Sequence, residues 1–161
     1  MIIILMGVSG CGKTEIGQRL SGQLGWPFFE ADAFHPRDNI DRMSRGDPLD
    51  DADRWTWLEN IRQQIDQCEQ DDQNAVIACS ALKQPYRDLL AKDTCDVRFV
   101  YLHGDYNLIH KRLTARRGHF MKAHMLDSQF ATLEPPAGAL EIDVDQTPVT
   151  IVRMIRSNSR I

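Results

Sequence analysis

A glycine-rich stretch near the start of the sequence carries the residue types that bind a triphosphate. Residues 6–14 read Met-Gly-Val-Ser-Gly-Cys-Gly-Lys-Thr, which fits the pattern G-x-x-x-x-G-K-[ST] at every defined position. Glycines let main-chain N–H groups approach the phosphates closely, and the positive end of a following helix adds to the attraction. The pattern predicts a nucleotide site, to which we assign Gly7, Ser9, Gly10, Cys11, Gly12, Lys13 and Thr14.

Two side chains in this stretch have separate chemical roles. Lys13 supplies a mobile positive charge for the β- and γ-phosphates, so it is a candidate catalytic residue as well as a binding residue. The Thr14 hydroxyl is a hard oxygen ligand of the kind that Mg²⁺ prefers. Thr14 is therefore the predicted metal ligand.

Apolar patterns place this stretch between a strand and a helix. Residues 2–5 are a short apolar run typical of a buried parallel strand, and residues 16, 20 and 24 share one helical face. Similar runs predict strands at 26–32, 75–79, 97–102 and 140–144, each followed by a helical pattern. We expect an α/β fold of three layers (α/β/α) with a five-stranded parallel sheet, in a single domain over residues 1–161.

Two polar stretches interrupt this alternation. Residues 35–55 carry charges of both signs and are too long for a simple connection, so they predict a short helix and loop forming a substrate-side insertion. Around residues 116–124, Gly118 lies among cationic side chains between two helical stripes. This interruption predicts a small lid that closes over bound substrates.

The second predicted strand ends in a carboxylate, Asp32, at the edge where open α/β sheets bind ligands. Asp32 is a candidate catalytic and substrate-binding residue, acting either as general base or by orienting an acceptor hydroxyl and a magnesium-bound water. In a loose phosphoryl-transfer transition state, positioning matters more than proton abstraction, so both roles stay open. An ordinary helix cap is the structural alternative.

Composition limits the classes of partner and location. The net charge of −4 gives no overall electrostatic footprint for nucleic acid, so small-molecule chemistry is favoured. The four cysteines are widely spaced and predict neither a zinc site nor a disulfide framework, which is typical of a cytoplasmic protein. No apolar run is long enough to span a bilayer, and the apolar start lacks the basic region of a signal peptide.

Rival phosphate-loop classes fit poorly, because N-K-x-D is absent and the third strand ends in Cys79-Ser80 rather than in a metal-ligating Asp. The chain instead resembles the gluconokinase family of phosphate-loop kinases, which is related to shikimate kinase. The resemblance covers residues 3 to about 150. Besides the phosphate loop, it rests on segments that occur in this order: His-Pro-Arg-Asp-Asn-Ile from residue 35, Gly-Asp-Pro-Leu from 46, Asp-Ala-Asp-Arg from 51 with Trp57-Leu58, Cys-Ser-Ala-Leu-Lys from 79 with Tyr86-Arg87, and Gly-His-Phe from 118.

This resemblance implies a P-loop kinase fold and ATP-dependent phosphorylation of the 6-hydroxyl of D-gluconate in the cytoplasm, usually by a homodimer. ATP and Mg²⁺ are the implied cofactors, with no nucleic-acid or membrane partner. The chain departs from the family pattern at Cys11, Ala31 and Thr56, all small changes that leave the charged groups in place. Another kinase of the shikimate type and a non-catalytic ATP-binding regulator are the alternative functions.

The remaining candidate site residues are cationic or hydrogen-bonding groups, each of which can alternatively be a solvated surface group. A carboxylated sugar acid can be gripped by planar Arg groups and Lys, so a substrate pocket is predicted from His35, Arg42, Arg54, Lys83 and Arg87, with His119 as a lid donor. Arg116 and Arg117 are candidate catalytic groups that neutralise charge when the lid closes, and Arg112 is assigned to the nucleotide.

Overall fold

A five-stranded sheet forms the centre of the protein in the computed structural model, which describes residues 1–45, 47, 49–93, 96–115 and 120–161, with residues 120–125 described by their backbone alone. The strands run across the sheet in the order β2-β3-β1-β4-β5, and every neighbouring pair is parallel. Their bounds are β1 (Ile2–Met6), β2 (Phe28–Glu30), β3 (Ala75–Ala78), β4 (Val97–His103) and β5 (Leu140–Asp143). The predicted parallel sheet is confirmed.

Helices connect the strands, because parallel strands need long crossovers. The helices are α1 (Lys13–Leu24), α2 (Arg37–Ser44), α3 (Asp51–Gln70), α4 (Gln84–Leu90), α5 (Tyr106–Ala115), α6 (Phe120–Thr132) and α7 (Pro148–Ser159), with a 3₁₀ helix at Ala31–Phe34. A capping box between Asp50 and Asp53 begins α3 well before the apolar stripe that starts at Leu58. Among the described helices, none has the length and apolar character needed to cross a membrane.

The core lies on both faces of the sheet, as the side-chain alternation of β1 shows. Ile3 and Leu5 point into a cluster that includes Ile155 of α7, whereas Ile2 and Ile4 point into a second cluster. That second cluster contains Leu58, Ile61 and Ile65 of α3. A strand that is buried on both faces must be covered by helices on both sides, so the predicted three-layer α/β/α arrangement is confirmed.

The carboxyl ends of three neighbouring strands meet at one edge of this sheet. Glu30 at the end of β2 pairs with Ala78 of β3, and Ala78 pairs with Leu5 of β1. Just beyond, the Gly7 N–H donates to the Ser80 carbonyl at 3.2 Å. Segments that are far apart in sequence are thus placed side by side where open α/β sheets bind ligands.

Candidate active site

The turn between β1 and α1 adopts a backbone that requires glycine. Gly7 has a φ of +134°, and a Cβ there would lie 2.4 Å from the Leu102 carbonyl oxygen. Gly12, with a φ of +97°, precedes α1, and a Cβ at Gly12 would meet no atom within 4 Å. The turn therefore packs tightly against β4 at Gly7, whereas the backbone at Gly12 is accessible beside the N-terminus of α1. An accessible helix N-terminus suits an anion.

Lys13 folds back over this turn instead of extending into solvent. Its Nζ donates to the Gly7 carbonyl at 2.9 Å and to the Val8 carbonyl at 3.0 Å. The Cys11 thiol lies 3.9 Å from the same Nζ and is 1% exposed, so the Cys11 side chain packs inward. The ammonium group is thus already held inside the loop that the sequence assigns to the phosphates.

The Thr14 hydroxyl lies against a carboxylate from the neighbouring part of the sheet. Thr14 Oγ1 donates to Glu30 Oε2 at 2.8 Å. A hydroxyl and a carboxylate at this spacing are hard oxygen ligands of the kind that Mg²⁺ takes, so the residues present fit the ion. Sequence reasoning missed Glu30, although its i,i+2 spacing to Asp32 at the end of a strand is a usable signal.

Asp32 lies in the 3₁₀ helix that directly follows β2. Two side chains of α3 hold this short helix, since Trp57 Nε1 donates to the Ala31 carbonyl at 2.7 Å and Asn60 Nδ2 donates to the Phe34 carbonyl at 3.0 Å. The Asp32 side chain is exposed, and within the described residues its carboxylate has no hydrogen-bonded or ion-paired partner. The backbone at Asp32 is thus held in place, and its carboxylate is open to an incoming hydroxyl.

His35 stacks on Trp57, with ring centroids 4.6 Å apart and an interplanar angle of 11°. Its Nδ1 is buried without a hydrogen-bond partner among the described residues. Burial lowers the pKa of His35 below its ordinary value, while the charge of Asp32 opposes this shift and that of Arg54 adds to it. The lowered pKa favours the neutral imidazole, which makes His35 a hydrogen-bonding group rather than a cation near Asp32.

Two of the predicted substrate cations share one carboxylate. Lys83 Nζ contacts both Asp51 oxygens, at 3.0 and 2.9 Å, and Arg54 Nη1 lies 3.6 Å from Asp51. Tyr86 also donates to Asp51, at 2.7 Å. Hydrogen bonds from Tyr86 and Lys83 lower the pKa of Asp51. The hydrogen bond between Lys83 and Asp51 also raises the pKa of Lys83. These groups are brought together by the start of α3, by Lys83 just before α4 and by the first turn of α4.

Arg42 is paired in the same way, because Nη1 donates to the Asp53 carboxylate. Asn39 Nδ2, one turn earlier on α2, donates to the Asp53 carbonyl at 2.9 Å. These contacts dock α2 onto the start of α3. The predicted insertion is thus tied to the sheet edge through α3 and is not a free loop.

Arg87 lies deeper than a surface cation, with 3% exposure. Its Nη1 donates to the Ala81 carbonyl at 2.9 Å, and its Nη2 donates to Gln84 Oε1 at 2.7 Å. Ala81 has a φ of +41°, a conformation that costs free energy for a residue with a side chain. These contacts favour a role for Arg87 in supporting the turn after β3, in addition to its predicted role in substrate binding.

Of the three arginines predicted to act on the nucleotide and the transferring phosphoryl group, Arg112 lies within the described residues. Arg112 on α5 donates through Nη2 to the Val144 carbonyl at 3.0 Å, which ties α5 to the segment after β5. Arg116, Arg117 and His119 lie outside the described residues, and their roles stay predictions. Of the predicted lid at 116–124, residues 116–119 lie outside the described residues, and residues 120–124 belong to the start of α6.

One edge of the parallel sheet combines a phosphate loop and its Lys with a Thr–Glu oxygen pair and an exposed Asp. This combination is that of a phosphate-loop kinase of small molecules. Comparison with known proteins agrees, because the shikimate kinase family model matches residues 9–133. The thermoresistant gluconokinase of Escherichia coli is 42% identical, over 90% of this chain and 85% of that protein. The chain belongs to the gluconokinase family.

Solved structures give the same result. A gluconokinase from Sinorhizobium meliloti is 42% identical and superposes with a TM-score of 0.84, covering 94% of this chain and 86% of that one. An unliganded sugar kinase from Janibacter is 40% identical with a TM-score of 0.88, covering 97% and 92%. Both fold and sequence relationships therefore extend across the described sheet and its helices.

Proposed function

We propose that this protein transfers the γ-phosphoryl group of ATP to the 6-hydroxyl of D-gluconate. The observation that carries the proposal is the 42% identity to a gluconokinase over 90% of the chain, together with a complete phosphate loop. Asp32, exposed at the same sheet edge, supplies a carboxylate for the acceptor. No specific observation favours a shikimate-type substrate or a purely regulatory role.

On the nucleotide side, the loop N–H groups bind the phosphates, and Lys13, held by the Gly7 and Val8 carbonyls, directs the remaining donor of its ammonium group to the β/γ bridge. This contact is strongest in the transition state, where negative charge shifts toward the leaving oxygen. Thr14 and Glu30 would hold Mg²⁺, which supplies charge neutralisation on the phosphates when bound. Arg112, Arg116 and Arg117 add cationic groups as the lid closes.

On the acceptor side, Asp32 aligns the 6-hydroxyl with the transferring phosphorus and receives or shares its proton. Neutral His35 is a hydrogen-bonding group beside it. The cationic groups that suit the sugar-acid carboxylate are Arg42, Arg54, Lys83 and Arg87, with His119 as a hydrogen-bond donor from the lid. Their present partners, Asp51 and Asp53, hold Lys83 and Arg42 in place before substrate arrives.

The proposal extends to the state of the protein in the cell. We expect one kinase domain over residues 1–161, with the substrate-side insertion at 35–55 and the lid at 116–124. We also expect a cytoplasmic homodimer, as the resemblance to gluconokinases implies. Sedimentation or light scattering of the purified protein tests the dimer, since a monomer at micromolar concentration would contradict it.

A coupled ADP-release assay tests the reaction with D-gluconate, other sugar acids, shikimate and nucleoside monophosphates as acceptors. We expect the highest kcat/KM with gluconate and a product phosphorylated at the 6-position, as read by phosphorus–proton correlation in NMR. A higher kcat/KM with shikimate would replace the proposed substrate. ATP binding without transfer to any acceptor would favour the regulatory alternative.

A further inference from the structure

The side chain of Gln129, on α6, contacts the phosphate loop at two atoms. Gln129 Oε1 accepts a hydrogen bond from the Ser9 main-chain N–H at 2.6 Å, and Gln129 Nε2 donates to Ser9 Oγ at 3.1 Å. The two residues are 120 positions apart in the chain. A planar amide bound at both ends has one orientation, so this contact fixes Ser9 relative to α6.

The Ser9 N–H belongs to the same peptide group as the Val8 carbonyl, which accepts from Lys13 Nζ at 3.0 Å. A peptide group is planar, so its N–H and C=O directions are fixed relative to each other. Gln129 on one side and Lys13 on the other therefore orient a single peptide plane. Turning that plane would remove the carbonyl that holds the Lys13 ammonium in the loop.

The chain segment after Gln129 is also tied to the acceptor side of the site. Glu134 N–H donates to the Leu82 carbonyl at 2.9 Å, and Glu134 Oε2 accepts from the Gln84 N–H at 2.6 Å. These contacts flank Lys83. Residues 129–134 thus bridge the phosphate loop and the segment that carries a predicted gluconate-binding lysine.

We propose that Gln129 is a positioning residue for phosphoryl transfer, which acts by fixing the Val8–Ser9 peptide and through it Lys13. The inference rests on the proposed kinase function. Gln129 carries no charge, and its replacement leaves the number of loop N–H groups unchanged. The substitution should therefore affect ground-state ATP binding little. It affects turnover more, because the transition state needs the loop and Lys13 in one arrangement.

Replacement of Gln129 with Met keeps the length and volume of the side chain but removes the strong acceptor. We expect Gln129→Met to lower kcat at least about tenfold while the Kd of ATP changes less than about threefold. Gln129→Glu keeps an oxygen that accepts from the Ser9 N–H, so it should protect this N–H from exchange better than Gln129→Met does. The matched control is Gln63→Met on the exposed face of α3, which should keep the kcat of the wild type.

Amide hydrogen exchange of the wild-type protein gives a readout that needs no variant. The Ser9 N–H should exchange more slowly than the Gly10 N–H, which has no hydrogen-bond partner among the described residues. Equal exchange of the two amides would overturn the proposal, and so would a wild-type kcat in Gln129→Met. If gluconate is not the acceptor, the exchange comparison still tests the Gln129–Ser9 contact independently of the substrate, so the two failures are distinguishable.

Discussion

Thr14 Oγ1 donates a hydrogen bond to Glu30 Oε2 at 2.8 Å, joining the first turn of α1 to the last residue of β2. The contact is possible because a single strand, β3, separates β2 from β1 in the sheet. It places a hydroxyl and a carboxylate side by side at the phosphate loop. A divalent cation that enters there meets two hard oxygen ligands without any rearrangement of the sheet.

Glu30→Gln should therefore raise the Mg²⁺ concentration needed for half-maximal turnover, since an amide oxygen lacks the negative charge that attracts the ion. The fold should persist, because the Thr14 hydroxyl can still donate to the amide oxygen. Titration of Mg²⁺ at fixed ATP and gluconate measures the change. An unchanged Mg²⁺ dependence would remove Glu30 from the metal site.

Lys13→Ala should lower kcat at least about a hundredfold, because the ammonium charge is worth more in the transition state than in the ground state. Circular dichroism should show a folded protein, since the hydrogen bonds of Lys13 within the described residues go to loop carbonyls and the Cys11 thiol. Lys92→Ala, which alters an exposed lysine in the turn after α4, is the control. Near-normal turnover of folded Lys13→Ala would exclude the proposed site.

Asp32→Asn should abolish most phosphoryl transfer while ATP affinity stays within about tenfold, or ~1.4 kcal/mol. The substitution keeps the shape of the side chain and removes its negative charge and basicity. Calorimetric titration with an ATP analogue and single-turnover transfer separate the two effects. If ATP affinity collapsed while transfer from bound ATP stayed normal, Asp32 would belong to the nucleotide side.

Stability should depend on pH through His35, whose pKa is lowered by burial from its ordinary value of 6.5. Below pH 6.5 the unfolded chain binds a proton that the folded protein disfavours, so the contribution of neutral His35 is lost as pH falls through that value. Above 6.5 it is fully present. Urea unfolding at several pH values should show wild type losing more stability on acidification than His35→Gln does. Parallel pH profiles of the two proteins would contradict this.

The lid arginines are expected to act on turnover rather than on affinity. At least one of Arg116→Ala and Arg117→Ala should reduce kcat by a larger factor than it raises the Kd of ATP, because lid closure assembles these charges around the transferring group. Arg153→Ala on the exposed face of α7 serves as the control. Normal turnover in both lid variants would remove the lid from the mechanism.

The sequence alone determined the sheet, the phosphate loop and the placement of Asp32 after β2. These features follow from short-range sequence patterns: a run of β-branched residues, the spacing of the loop glycines, apolar residues on one helical face, and a carboxylate at the end of an apolar run. Each needs only neighbouring residues to be interpreted. Parallel strands separated by helices then leave few ways to assemble them.

The partners of the site residues were decided only by the tertiary structure. Glu30 meets Thr14, Gln129 meets Ser9, and Asp51 meets Lys83 across long stretches of chain. Arg87 is drawn inward to main-chain carbonyls, although its sequence context is equally consistent with an exposed cation. Local periodicity gives the face on which a residue lies, but a hydrogen-bond partner depends on how separate elements pack. For a charged side chain, that packing decides whether it meets solvent, substrate or the protein's own oxygens.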